Sequence, residues 1–340
     1  MDNHKKDMER YSRHILLKEI GEEGQIKLSK SSVTIVGCGA LGTTIANNLV
    51  RSGIGRIKII DRDIIEMNNL QRQTLFDEDD IGLPKAWVAV KKLQKVNSKI
   101  KINPVVEDLN NTNIEDIIDG ADLVIDGTDN METRFLINDA CIKHKIPWIY
   151  GGAIGTHGMS MNIIPSSTPC FRCVFPKLPN AGALPTCDTA GVLNTIPPII
   201  ASIESTEALK ILLGKTINNK LLTYDVWTHD FQSIKIKKNN ECECCVKHNF
   251  EFLNAKKKTR IVSLCGEKAV QITPAKTGML SFEPLAQKLQ KSGKVEVTNF
   301  ILKFTVDSYQ INIFKSGRAI VYGTNDEKIA KSLYAKYVGL

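Results

Sequence analysis

Three glycines follow an apolar run near the start of the chain, at a spacing that suits phosphate binding. The run ends at Val36, and the glycines are Gly37, Gly39 and Gly42. A glycine turn between a buried strand and a helix points the free N–H groups of the helix at a phosphate. Asp61 follows the next apolar run, where its carboxylate would reach a ribose hydroxyl. Dehydrogenases and flavoproteins share these features, so they predict a nucleotide without identifying it.

The residues after Asp61 indicate a ligand with more negative charge than a dinucleotide. Asp63 comes first, and the next segment, rich in amide and guanidinium donors, is Asn68, Asn69, Leu70, Gln71 and Arg72. Pro84 and Lys85 then open a predicted helix, which places an ammonium group near a helix N-terminus. Several such donors suit a nucleoside triphosphate. The alternative of an NAD-dependent Rossmann oxidoreductase is supported only by the glycine turn and Asp61.

A carboxylate at the end of a third apolar run could hold a metal ion. Leu123–Ile125 is a predicted buried strand, and Asp129 and Asn130 lie just beyond its carboxyl end. Ligands of doubly wound sheets bind at that edge. Because magnesium takes one or two carboxylates together with phosphate oxygens, Asp129 is the predicted magnesium ligand.

Four of the nine cysteines form two C-x-x-C pairs, and they are Cys170, Cys173, Cys242 and Cys245. Two such pairs suit a tetrahedral zinc–thiolate site with all four positions filled, so the predicted zinc is structural. Cys244 leaves open a second pair made with Cys245, although adjacent cysteines make a poorer chelate. Four unrelated thiols, or a single redox-active pair, would also account for this pattern.

One further cysteine lies in a segment rich in proline, glycine, alanine and threonine. Cys187 stands within 178–191, just before a helix predicted at 195–213. A thiol on a mobile loop beside a nucleotide site can attack a bound acyl-adenylate, and a bystander thiol is the competing interpretation. Three more cysteines are predicted to be inert, namely Cys38, Cys141 and Cys265.

In this order, the motifs resemble those of the MoeB and ThiF adenylating enzymes, the bacterial relatives of the ubiquitin-activating enzymes. The first matching motif is Arg10–Arg13, and the resemblance covers roughly Met8 to Cys245. It implies ATP as substrate, Mg²⁺, a structural zinc, and adenylation of the C-terminal Gly-Gly of a MoaD- or ThiS-type ubiquitin-fold sulfur carrier. The carrier then becomes a thiocarboxylate for molybdopterin or thiazole synthesis. Ala40 departs from the family pattern, since many relatives have a fourth glycine there; a methyl group is tolerable if φ is negative.

The resemblance also implies a role for each matching residue. The nucleotide would contact the glycine turn with Ala40 and a polar set, namely Asp61, Asp63, Asn68, Asn69, Leu70, Gln71, Arg72, Lys85, Asp129 and Asn130. The implied catalytic groups are Arg13, Arg72, Lys85 and Asp129, with Cys187 as the thiol that links to the carrier in ThiF-like enzymes. Arg13 would reach the nucleotide of the other subunit of a homodimer, as an arginine finger does.

Charge is distributed unevenly along the 340 residues. Residues 255–340 carry 15 Lys and Arg against 6 Asp and Glu, a net charge of +9, whereas residues 1–254 are close to neutral. We predict an adenylation domain at 1–246, a linker at 247–259 and a small basic α+β domain at 260–340. The predicted fold class is α/β, with a Rossmann-like, doubly wound, mostly parallel sheet and a zinc site, followed by the α+β domain.

Partners and location are expected as follows. The basic domain lacks a recognisable nucleic-acid motif, which favours a solvated surface or a docking face for an acidic protein. No apolar run is long enough to span a membrane and no signal peptide is recognisable, so a cytoplasmic location is predicted. No rhodanese-like segment is recognisable, so the sulfur donor is expected to be a separate protein.

A non-catalytic ubiquitin-fold-binding module is the remaining hypothesis, and the retained charged residues argue against it.

Overall fold

A computed structural model describes the chain over 8–180, 183–255, 260–264, 268–274, 280–298 and 300–339. The chain forms two compact units, Met1–Asn254 and Ala255–Leu340. Within the described ranges, no helix combines the length and the apolar composition that crossing a bilayer requires.

The first unit is built on one eight-stranded sheet. Its strands are β1 Ser32–Val36, β2 Arg56–Ile60, β3 Lys101–Val105, β4 Leu123–Asp126, β5 Trp148–Ile154, β6 His157–Ile163, β7 Leu221–Asp225 and β8 Asp230–Ile234. Their order is β3-β2-β1-β4-β5-β6-β7-β8. The first five strands run parallel and the last three extend the sheet antiparallel. The predicted mostly parallel sheet is therefore present, with an antiparallel extension that the sequence analysis did not predict.

Helices cover both faces of this sheet. They are α1 Ser12–Ile15, α2 Gly21–Lys30, α3 Ala40–Ser52, α4 Lys85–Val96, α5 Ile114–Ile118, α6 Met131–His144, α7 Phe171–Val174, α8 Cys187–Ala190 and α9 Ile196–Leu213. Leu123 and Ile125 of β4 pack in the same core as α3 and α9, whereas Val124 packs in the second core with α5 and α6. This alternation makes the sheet doubly wound, because side chains of a strand point alternately to its two faces.

The order of the strands reverses between β1 and β4. Chain connections leave β1 in one direction along the sheet and β4 in the other, so a crevice opens at their carboxyl ends. Open α/β sheets bind their ligands in this crevice. The fold thus brings the segments after Val36 and after Asp126 together.

In its described residues, the second unit consists of an antiparallel sheet and two helices. Its strands are β9 Arg260–Leu264, β10 Ala269–Thr273, β11 Lys294–Val297, β12 Ile301–Val306, β13 Tyr309–Phe314 and β14 Ala319–Tyr322, and its helices are α10 Phe282–Leu289 and α11 Glu327–Tyr337. The sheet order is β11-β12-β13-β14-β10-β9. Apolar side chains from four central strands form one core with both helices, including Phe304, Ile313 and Tyr334.

The end of the first unit lies beyond the predicted domain limit of 246. The Phe252 backbone N–H donates a 2.9 Å hydrogen bond to Asp139 Oδ2, and Leu253 is buried in the second core. Residues 247–254 thus pack with the first unit, whereas 256–259 lie outside the described residues. The domain limits stay a prediction.

Candidate nucleotide site and cysteine cluster

The glycine turn leads from β1 into α3 and packs against the loop after β4. Gly37 has φ of 91°, a conformation that favours glycine. A Cβ atom on Gly37 would lie 2.7 Å from the Gly127 carbonyl, and one on Gly42 would lie 2.0 Å from the Gly37 oxygen. Around Gly39, in contrast, the nearest described atom would be the Gln73 amide at 3.9 Å. Space for a phosphate therefore opens at Gly39, next to the start of α3.

Ala40 fits this turn despite the missing glycine. It is the first residue of α3, and its φ is not positive. A methyl group causes no backbone strain in that conformation. The departure from the family pattern therefore leaves the shape of the turn intact.

Asp61 fastens the glycine turn to β2. Its Oδ2 accepts a 2.6 Å hydrogen bond from the Cys38 backbone N–H, and its Oδ1 accepts one of 2.7 Å from Asp63 N–H. Burial and the Asp63 carboxylate raise the pKa of Asp61, although these hydrogen bonds and Lys85 oppose the rise. Each oxygen of an ionised carboxylate has a second lone pair, which a ribose hydroxyl could use.

Lys85 places a buried positive charge among carboxylates. It begins α4, is 8% exposed, and its Nζ lies 3.6 Å from Asp63 Oδ2. Burial alone would lower the pKa of Lys85, but Asp63, Asp61 and Asp129 together raise it above its ordinary value. The ammonium group is therefore charged, and it acts electrostatically on acids from both sides of the crevice.

Several polar side chains of the segment after Asp63 form hydrogen bonds within the segment itself. Asn69 is buried, its Oδ1 accepts from the Glu66 backbone N–H at 3.3 Å, and its Nδ2 donates to Asn68 Oδ1 at 2.6 Å. Arg72 Nη1 donates to the Asn68 carbonyl at 2.7 Å, and Gln71 is exposed. Leu70 packs against the core of the sheet. Gln71 and the remaining N–H donors of Arg72 are the groups of this segment best placed to meet a ligand.

Asp129 is exposed on a loop that a buried ion pair holds in place. Asp126 Oδ1 accepts from Thr128 N–H at 2.8 Å and from Thr128 Oγ1 at 2.6 Å. Arg134 donates through Nε to Asp126 Oδ2 at 2.8 Å and through Nη2 to the Thr128 carbonyl at 2.5 Å. Asn130 accepts from Thr133 N–H at 3.1 Å and so caps α6. The Asp129 carboxylate is thus presented at the edge of the sheet by a fixed backbone.

The four cysteines of the two C-x-x-C pairs meet in one cluster. All four Sγ atoms lie within 4.8 Å of one another. The distances are 3.5 Å for Cys170–Cys242, 3.6 Å for Cys173–Cys245 and 3.9 Å for Cys170–Cys173. Four thiolates around a tetrahedral zinc are separated by roughly 3.8 Å, so this donor set fits the metal. Cys244 lies outside the cluster, where it accepts a 3.1 Å hydrogen bond from Asn138 Nδ2.

Comparison with protein families matches residues 11–245 to the ThiF family. The chain belongs to the ThiF family. Two curated members of similar sequence are the sulfur carrier protein ThiS adenylyltransferase of Bacillus subtilis and the sulfur carrier protein adenylyltransferase of Thermus thermophilus. The first is 38% identical over 335 residues, which cover 97% of this chain and 99% of the relative. The second is 37% identical over 248 residues, which cover 71% and 92%.

A solved structure has a similar fold. Escherichia coli MccB with ATP is 27% identical, with a TM-score of 0.61 over 69% of this chain and 74% of that one. The family match and the two relatives named as adenylyltransferases show that this ThiF-family chain is an adenylyltransferase.

The remaining predicted catalytic residues of this ThiF-family chain, Arg13 and Cys187, lie on the short helices α1 and α8. Arg13 is exposed on α1, and within the described ranges no hydrogen bond or ion pair links it to the site. Cys187 lies in the short helix α8 rather than an irregular loop, with its Sγ 3.8 Å from the Ala153 carbonyl at the end of β5. Gly155 fixes this segment through backbone hydrogen bonds with Gly191 and Leu193, of 2.9 and 2.8 Å.

The three cysteines predicted to be inert differ in what the structure shows. Cys38 and Cys141 are fully buried, and burial raises the pKa of both thiols. A buried neutral thiol is a poor nucleophile, which agrees with the prediction. Cys265 lies outside the described residues.

Sequence reasoning did not single out Asp126, Arg134 and Gln73. Asp126 closes an apolar run and Arg134 follows eight residues later on α6, a pairing that only the folded sheet makes evident. Gln73 is 3% exposed beside the glycine turn, and its Oε1 has no hydrogen-bond partner in the part of the chain that the structure describes. The one signal in the sequence that could have pointed to this group was the charged Asp126 at the end of an otherwise apolar run.

Proposed function

We propose that this chain transfers AMP from ATP to the C-terminal glycine of a small ubiquitin-fold sulfur carrier. Two observations carry the proposal. The buried ammonium of Lys85 lies 3.6 Å from Asp63 and is also influenced electrostatically by Asp129, and the glycine turn leaves open space at Gly39. Hydride transfer does not require such a cluster of charges. A triphosphate with a divalent cation does, because a positive side chain binds the phosphates and a carboxylate binds the cation. The dehydrogenase hypothesis is therefore disfavoured.

In this proposal each group of residues has one task. The turn at Gly39 and Ala40 binds phosphate oxygens, Asp61 binds the ribose, and Gln71 and Arg72 bind the outer phosphates. Asp129 would hold Mg²⁺, which when bound neutralises charge on the triphosphate. The carrier carboxylate attacks the α-phosphorus, the bond to the bridging oxygen breaks, and pyrophosphate leaves with that electron pair. Because the nucleophile is already ionised, positioning and charge stabilisation suffice without a general base.

The comparisons favour a ThiS-type carrier over a MoaD-type carrier. The Bacillus relative, which is named for ThiS, matches 97% of this chain, a share that reaches into the second unit. We therefore assign the adenylate to thiazole synthesis, with molybdopterin synthesis as the alternative. ATP–pyrophosphate exchange measured with each purified carrier separates them. Faster exchange with a MoaD-type carrier would reverse the assignment.

The oligomeric state, the sulfur donor, the role of the second unit and the location are also matters of proposal. We infer a homodimer in which Arg13 of one copy reaches the phosphates bound by the other, because Arg13 is exposed and lacks a partner at its own site within the described residues. The sulfur donor is a separate protein in this proposal. The basic second unit would be a solvated or acidic-protein-binding surface, and the cytoplasmic location stays a prediction.

We further propose that Cys170, Cys173, Cys242 and Cys245 bind one structural zinc ion. Cys242→Ser should bring the zinc content below one per chain and lower the melting temperature by roughly 10 °C, because metal binding contributes directly to folding energy. Cys244→Ser is the matched control, since Cys244 is equally buried but outside the cluster. Metal analysis and calorimetry check both variants. Full zinc in Cys242→Ser with none in Cys244→Ser would overturn the ligand set.

Cys187→Ala separates adenylation from the later sulfur step. We expect unchanged zinc, melting temperature and pyrophosphate exchange, because the thiol acts on an adenylate that already exists. The change should appear as slower thiocarboxylate formation, or as loss of a reductant-sensitive carrier adduct in mass spectra. A pyrophosphate exchange rate reduced tenfold or more would instead place the thiol in the adenylation step.

A further inference from the structure

Glu204 is a buried acid that the proposed chemistry does not use. It lies on α9, is 0% exposed, and neither carboxylate oxygen has a hydrogen-bond partner among the described residues. The carboxyl group packs directly on the backbone of β5, since a Cβ atom on Gly151 would lie 2.4 Å from Glu204 Cδ. An ionised carboxylate without partners is expensive to bury. Glu204 is therefore a neutral carboxylic acid in the folded chain.

Gly151 also contacts the ion pair that fixes the Asp129 loop. Arg134 Nη2 donates a 2.9 Å hydrogen bond to the Gly151 carbonyl, in addition to its hydrogen bonds with Asp126 and Thr128. Glu204 and Arg134 thus meet the same residue of β5. Arg134 forms an ion pair with Asp126 and acts on Glu204 only electrostatically, so this one guanidinium group can pair with only one of the two buried acids.

The groups that act electrostatically on Glu204 come from three elements. They are Asp126 of β4, Arg134 of α6 and Tyr150 of β5, whose ring lies 5.1 Å below the Arg134 guanidinium. From α3, the neutral Asn48 amide donates to Ser205 beside Glu204. Burial raises the pKa of Glu204 well above its ordinary value, Asp126 raises it further, and Arg134 lowers it.

We propose that Glu204 is a positioning residue that acts as a neutral acid. While it keeps its proton, Arg134 stays bound to Asp126 and to the Thr128 carbonyl, and the backbone that presents Asp129 is held in place. When Glu204 ionises, it competes with Asp126 for the single guanidinium, and the Asp129 loop loosens. The role in adenylation rests on the proposed function, because Asp129 is the proposed magnesium ligand; the protonation state does not.

Glu204→Gln tests the inference through the shape of two pH profiles. Because the folded chain holds this proton more tightly than the unfolded chain, wild-type stability should fall as pH rises from about 4.5 to the ionisation of folded Glu204. The melting temperature of Glu204→Gln should exceed that of wild type by an amount that grows with pH over this window. Wild-type KM for Mg·ATP should rise, up to about tenfold per pH unit, where Glu204 ionises, and the variant should lack that rise.

Matched variants keep the inference falsifiable. Glu207→Gln is the control, since Glu207 is also buried on α9 but accepts hydrogen bonds from Asn162 and Asn218 and pairs with Lys210. It should lose stability at every pH. Glu204→Met should fold and behave like Glu204→Gln, because no hydrogen bond is lost. If Glu204→Gln does not fold, Glu204→Met carries the same comparison.

The outcomes are distinct. Parallel melting profiles of wild type and both Glu204 variants would show that folding does not raise the pKa of Glu204, and a wild-type profile that gains stability with pH would show an ionised, paired Glu204; either result would overturn the inference. Divergent melting profiles with unchanged KM profiles would confine Glu204 to stability and reject its positioning role. Absence of exchange in every protein at every pH would reject the proposed function instead, while the melting profiles would still decide the protonation state.

Discussion

Asp129→Ala is expected to slow carrier-dependent ATP–pyrophosphate exchange by more than about 100-fold while leaving the fold intact. The Asp129 carboxylate is exposed at the carboxyl end of β4, so its removal leaves no cavity. Its backbone stays fixed because Asp126 and Arg134 hold Thr128. The large loss follows from removing the side chain that would keep the divalent cation against the phosphates. Exchange rates at saturating Mg²⁺ and melting temperatures check the two halves of the prediction.

Asp122→Ala supplies the control at the opposite end of the same strand. Asp122 is also exposed, and its Oδ2 accepts a 2.8 Å hydrogen bond from the Ser32 backbone N–H. Its loss should cost a small amount of stability and leave the exchange rate within a few-fold of wild type. Asp129→Ala with comparable activity would reject the magnesium assignment.

Arg13→Ala and Lys85→Ala should each be nearly inactive alone and regain activity when mixed. In a mixed dimer, one site combines Lys85 of the Arg13→Ala copy with Arg13 of its partner, and the other site lacks both groups. Equal mixing therefore restores about a quarter of wild-type activity, since half of the dimers have one working site. Exchange assays after subunit exchange, verified by mass spectrometry of tagged copies, measure this.

The control for this experiment is Arg10→Ala mixed with Lys85→Ala. Arg10 lies close to Arg13 in sequence, but its Nη1 donates to the Val96 carbonyl within its own chain. Arg10→Ala should therefore be active before mixing. If Arg13→Ala and Lys85→Ala fail to complement despite proven exchange, Arg13 acts within its own chain or not at all.

Local patterns were enough to predict the parallel part of the sheet and the segments that meet in the crevice. The run before Gly37 and the run before Asp129 each combine an apolar strand with a change to turn residues, and both signals lie within a few positions. The two C-x-x-C pairs were likewise recognisable in the sequence, because the two cysteines of each pair are only three positions apart. Their meeting in one cluster, which the structure shows, follows from a fold that pairs distant segments.

What the sequence could not predict depends on contacts between distant positions. The clamp of Asp126 and Arg134 on Thr128 needs the end of β4 beside α6, and the burial of Glu204 needs α9 laid across β5. The use of Asn69 as a cap for its own segment also escaped sequence reasoning, because the same amide suits a ligand equally well. The type of a polar residue does not show whether its donor and acceptor atoms are already used in hydrogen bonds within the protein.

Transfer of label from ATP to the carrier tests the central claim most directly. The chain is incubated with Mg²⁺, a ThiS-type carrier and ATP labelled at either the α- or the γ-phosphate. We predict that only the α-label appears on the carrier, that hydroxylamine releases it as expected for an acyl-adenylate, and that a carrier lacking its last glycine stays unlabelled. Label from the γ-phosphate, or no label with any ubiquitin-fold carrier while the chain binds ATP, would contradict the account.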